Sequence, residues 1–128
     1  MTYTFSKTIK MTFEEAVEKT KEELKKEGFG VLTQIDVKET LKKKIDVDFK
    51  KYLILGACNP HFAYQALQEE ERIGVMLPCN VVVLENDEGI VEINAVDPIA
   101  SMQAIQNPKL GDIAKEVQEK LKMVVDRI

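Results

Sequence analysis

The chain of 128 residues has no tryptophan, a single histidine and only two cysteines. Each scarcity narrows what the protein can do. One histidine leaves little room for general-base chemistry, and no Ser-His-Asp arrangement can be drawn from it. Two cysteines cannot build the disulfide framework of a small secreted domain. No apolar run approaches the roughly 20 residues that span a bilayer. The opening segment, Met1 to Lys7, lacks the apolar core of a signal peptide. The expected location is therefore the cytoplasm, where thiols stay reduced. Neither G-x-G-x-x-G nor G-x-x-x-x-G-K-[ST] occurs, so dinucleotide and P-loop sites have no support. With a net charge of −4 and a pI near 5.1, the chain lacks the basic surface of a phosphate-backbone binder, and neither a nucleic-acid nor a membrane partner is expected.

What is present suits one compact α+β domain over residues 1–128. The chain is 45% hydrophobic and 31% charged, too apolar and too mixed in charge for disorder. Charge is mildly asymmetric. Residues 1–64 carry 12 Lys against 10 Asp and Glu, and residues 65–128 carry 6 Lys and Arg against 12 Asp and Glu. Lys42-Lys43-Lys44 with Lys50-Lys51 is the one basic cluster. It has no interleaved aromatic or glycine-rich partner, and a solvated face accounts for it.

Local patterns set the elements. Tyr3 to Ile9 alternates as a strand. Thr12-Phe13-Glu14-Glu15 matches a capping box, and Phe13, Ala16, Val17, Thr20 and Leu24 follow on one helical face until Gly28 ends it. Gly30 to Ile35 reads as a strand. Asp36 to Glu39 opens a short helix ending near Lys44. Tyr52 to Cys58 is nearly all apolar and reads as a strand buried on both faces. Asn80–Glu85 and Ile90–Val96, joined by Asn86-Asp87-Glu88-Gly89, form a β-hairpin. Asn59-Pro60, Asp97-Pro98 and Asn107-Pro108 each place an Asx cap before a proline at the first helical position. The last helix carries Leu110, Ile113, Ala114, Val117, Leu121, Val124, Val125 and Ile128 on one stripe. Strands and helices in this order predict a largely antiparallel sheet with helices on one face.

Chemistry concentrates at Cys58, His61 and Cys79. Cys58-Asn59-Pro60-His61 puts a thiol at the mouth of a helix, where partial positive charge favours a thiolate, and an imidazole in its first turn. Cys79 follows Pro78 and directly precedes a strand. If that strand neighbours the one ending at Cys58, the three groups meet at one sheet edge. Three readings stay open. Thiolate and imidazole could ligate zinc, leaving a fourth position free. The two cysteines could work as a redox pair, Cys58 as thiolate and Cys79 as resolving partner, although C-x-x-C is absent. Or both could be small core residues, with His61 on the surface. Asn59, Pro60 and Pro78 would shape a pocket beside them. Glu69-Glu70-Glu71 at a helix end reads as solvent-facing.

Gly56-Ala57-Cys58-Asn59-Pro60, Ala63, Ala66-Leu67 and Leu77-Pro78-Cys79-Asn80-Val81-Val82-Val83 resemble the bacterial and archaeal domain-of-unknown-function family 302. Phe13, Ala16, Leu24, Gly28-Phe29 and Asp97-Pro98 fit as well, so the resemblance covers most of residues 5–105. It implies a curved antiparallel sheet with helices on one side, in a TATA-binding-protein-like arrangement, and a homodimer. It implies no activity and no catalytic residues, and His61 lies outside its motifs. The sequence thus leads to a small protein that binds a metal ion or small ligand near Cys58 and Cys79. The alternatives are a thiol-dependent redox or metal-handling enzyme and an inert dimerisation module.

Overall fold

The computed structural model describes residues 2–128; Met1, in the opening segment, lies outside them. Five strands form one antiparallel sheet: β1 (Thr4–Ile9), β2 (Gly30–Asp36), β3 (Tyr52–Cys58), β4 (Cys79–Glu85) and β5 (Val91–Val96), in the order β1-β5-β4-β3-β2. The helices are α1 (Phe13–Lys26), α2 (Val37–Ile45), α3 (Pro60–Glu69), α4 (Pro98–Ser101) and α5 (Pro108–Arg127). A 3₁₀ segment, Glu71–Met76, follows α3. The sequence gives no periodic signal there, yet Ile73 within it is fully buried.

Local chemistry fixes the helix ends. Thr12 caps α1 by accepting from Glu15 N at 3.1 Å, and Asp36 caps α2 by accepting from Glu39 N at 3.0 Å. Gly28, at φ +84, closes α1. There Gly28 N donates to Lys25 O and Phe29 N to Leu24 O, a paired C-terminal closure that needs the left-handed conformation. Three of the four prolines stand at the start of helices, behind Asn59, Asp97 and Asn107.

One face of the sheet holds the core. Leu53, Leu55, Ala57, Val81, Val83, Ile93 and Ala95 form one cluster with Ala16, Val17 and Leu24 of α1 and Val117, Leu121, Val124 and Val125 of α5. Glu27 at the end of α1 ties the two helices together through Lys120 at 3.6 Å and Arg127 at 2.6 Å. A second cluster, Ala66, Ile73 and Leu110, sits between α3, the 3₁₀ segment and the start of α5.

One expectation changes. β3 is not buried on both faces: Leu53, Leu55 and Ala57 are covered, while Tyr52, Ile54 and Cys58 are only half-buried. The apolar core packs on one face, and the other is closed only at Gly56, by Thr33 and Pro78; a continuous apolar run cannot by itself reveal that. Lys42, Lys43 and Lys44 are exposed, as a solvated face requires, and the cluster is locally neutralised. Lys42 pairs with Asp46 and Asp48, at 3.0 and 3.3 Å, and Lys43 with Glu39 at 2.7 Å.

Gly56 is the tightest point of the sheet. A Cβ there would collide with Thr33 Oγ1 and lie 2.8 Å from Pro78 Cγ. Gly56→Ala is expected to cost about 1–3 kcal/mol through overpacking, read from urea unfolding midpoints. An unchanged midpoint would show that Pro78 does not rest on β3.

Candidate functional site

The site begins with register. Ala57 of β3 stands opposite Cys79 of β4, and Gly56 opposite Asn80. Cys58 is thus one position beyond the pair that holds Cys79, at the end of its strand. Strict alternation would send the two side chains to opposite faces. Cys58 is the last residue of β3, paired with Gly30 where the chain turns into α3, and both cysteines line one cavity. Both are free thiols.

Asn59 positions this corner. It is buried, and its side chain works in two directions. Nδ2 donates to Glu27 O at 3.3 Å, and Oδ1 accepts from Phe62 N at 3.5 Å. One side chain therefore joins the end of α1 to the start of α3. Gly28 leaves it room, because a Cβ there would come within 3.0 Å of Asn59 Nδ2. On the other side, Pro78 enters β4 through a cis Leu77–Pro78 peptide and lies against Gly56.

The cavity lies between the ends of β3 and β4 and the helices above them. Phe62, Ala63 and Ala66 of α3 form one wall. Leu110, Ala114 and Val117 of α5 form another, and Pro98 and Met102 close it from the α4 side. The cavity volume is about 40 Å³. Holding one water takes roughly 10–15 Å³. The present cavity is therefore a tight, almost wholly apolar crevice, and only Cys58, Asn59 and Cys79 bring polar side chains to it.

The thiols are neutral at ordinary pH. Burial pushes the Cys79 thiol up to about 11, and the neighbouring Cys58 adds repulsion. Burial also pushes Cys58 up. The sequence expectation of a thiolate at the helix mouth is reversed, because lost hydration outweighs the partial charge of the helix end. Cys58, Asn59, Pro78 and Cys79 all line this cavity. Pro60 and His61 are not among the lining residues; both are exposed in the first turn of α3. Among the described residues, no group of three or more His, Cys, Asp or Glu is placed to hold a metal ion. The α4 and α5 walls carry no signal in the sequence beyond a helical stripe. Only the packing of α5 over the sheet end reveals them.

Fold and site define an α+β protein with one antiparallel sheet and an apolar, thiol-bearing cavity at the end of its helical layer. The chain belongs to the family described as Domain of unknown function DUF302, which matches residues 5–128. It is similar to the crystal structure of an uncharacterized conserved DUF302 protein from Bacillus stearothermophilus. The two are 33% identical, with a TM-score of 0.92, over 99% of this chain and 98% of that one. No curated protein matches. No helix among the described residues is long and apolar enough to cross a membrane.

Two outcomes follow. Asn59→Ala removes the α3 cap and the link to Glu27, and should cost about 1–2 kcal/mol in urea unfolding; no loss would separate Asn59 from the architecture of the site. The second concerns pH. An acid whose folded pKa is raised keeps its proton longer when folded, so stability falls as pH rises from the ordinary thiol value of 9 towards 11. A two-unit rise corresponds to about 2–3 kcal/mol. Wild type should lose more stability than Cys79→Ala between pH 8 and 11, while parallel curves would contradict a buried neutral Cys79.

Proposed function

We propose that this protein is a small-ligand-binding homodimer whose site is the cavity beside Cys58 and Cys79. The observation that carries the reading is the lining. An apolar crevice with a few convergent polar groups is the usual make-up of a small-molecule site. Here the groups are two neutral thiols and one buried amide. The matching ligand is a compact apolar molecule, its more polar or polarisable end towards the thiols and Asn59. Pro98 and Met102 form its α4 wall.

Zinc is the second reading from the sequence, with Cys58, Cys79 and His61 as ligands. It demands more of this site. Two thiols that burial keeps protonated must each release a proton, and His61 would have to turn inward from the exposed side of α3. A soft ion held by two thiolates would need its remaining ligands from outside the chain. The redox enzyme reading asks Cys58 to be a ready thiolate, and burial works against that.

Labelling by a small neutral methanethiosulfonate distinguishes these readings. Benzene should slow labelling of Cys58 and Cys79, and Ala63→Leu, which fills the cavity, should abolish that protection while leaving the protein folded. Protection by zinc but not by benzene, reversed by a chelator, would replace the proposal with the metal reading. Labelling that neither addition slows would remove both.

A further inference from the structure

β2 is the sheet's most exposed strand. It is bonded on one side to β3 and has no neighbour on the other. None of its residues is buried, and Leu32 and Ile35 are 69% and 48% exposed. Free strand edges are normally guarded by lysine, proline or a covering element, because unpaired backbone groups recruit another strand. From Gly30 to Ile35 there is no charged residue and no proline. Its guards are an irregularity in register between Val31 and Thr33 and the charged Asp36 at its end. The opposite edge strand, β1, is different: it carries Lys7, whose Nζ reaches Asp126 O of α5 at 2.9 Å.

The exposed surface continues into α2, which joins β2 to β3 and packs on both. α2 is nine residues long and has no buried residue. A helix so short is marginal in water without packing. Ile45 at its end and Val47 just beyond are 62% and 42% exposed. The lysines here do not create a repulsive field, since Lys42 and Lys43 are paired with Asp46, Asp48 and Glu39.

We infer that β2 is the homodimer interface: two copies pair antiparallel through their β2 edges to make a continuous ten-stranded sheet, with the α2 ends flanking the seam. The strand suits its own copy. Below the irregularity, Thr33 and Ile35 share the face that carries Gly56 and Ile54, while Gln34 shares the face of Leu55. A two-fold axis through Gln34 therefore sets each Thr33 opposite the second copy's Ile35 on one face. That is a pair of β-branched residues of the kind that stabilises strands. No like charges oppose each other within the uncharged stretch. The interface covers the exposed Ile35, sets Leu32 opposite the second copy's Asp36, and satisfies the free backbone edge.

This inference rests on the homodimer in the reading above and not on its cavity. Sedimentation over a range of concentrations should show a reversible dimer of the wild-type chain. Ile35→Lys, a charge on the edge, should weaken it about tenfold or more, whereas Val82→Lys, in the centre of the uncovered sheet face, should leave it intact. Hydrogen exchange on the wild type needs no variant: β2 amides should gain protection as concentration rises. A wild-type chain that stays monomeric with unprotected β2 amides overturns both the interface and the homodimer. A dimer that Ile35→Lys leaves intact, with β2 amides still unprotected, overturns the interface alone. Benzene protection of the thiols, measured separately, decides the cavity.

Discussion

The structure depends on burial from one side. Leu53, Leu55, Val81, Val83 and Ile93 present one face of the sheet to α1 and α5, and these residues make the main core. Apolar burial is worth about 25 cal/mol per Å², so this layer outweighs any single polar contact in the chain. Its geometry also decides what is left over. The far face keeps half-buried Tyr52, Ile54, Val82 and Leu84. At the end of the layer, α3 and α5 roof the β3 and β4 termini without filling the space between them. The cavity is that remainder.

A few polar and steric constraints then give the remainder its form. Asn59 joins α1 to α3 and leads the chain away from Cys58. Gly28 and Gly56 supply the room that Asn59 and Pro78 occupy. The same burial that builds the site quiets its thiols. A cysteine at the mouth of a helix feels partial positive charge, but Cys79 has lost most of its hydration and Cys58 part of it. Desolvation dominates, and the pair behaves as two weakly polar, polarisable groups. That character suits contact with a ligand better than nucleophilic attack.

Much of the fold was legible because its signals are local. The Thr12 and Asp36 caps, the glycine at 28 and the three Asx-Pro pairs each act within a few residues, and each marks a helix end found in the structure. Two strand-like runs joined by Asn86-Asp87-Glu88-Gly89 likewise marked the hairpin, whose turn is held by Asn86. What stayed hidden depends on distant packing. The order of elements placed helices on one face, but the apolar run of β3 by itself pointed to burial on both. The segment 71–76 has no period, and its burial of Ile73 depends on α3 and α5. The meeting of Cys58 and Cys79 required β3 to neighbour β4, which no local pattern states. Sequence could name both thiols and the adjoining Asn59 and Pro78, but not the α5 wall above them, nor the separation of His61 from the cavity.

The central claim is that the space beside the thiols is an apolar cavity that admits a guest. A crystal structure of the wild-type protein under xenon pressure tests it most directly, because xenon seeks apolar space and needs no hydrogen bond. The account predicts a xenon atom in the cavity, in contact with Cys79 and Ala114, and its disappearance in Ala63→Leu. An empty cavity under pressure, with xenon only elsewhere, would contradict it.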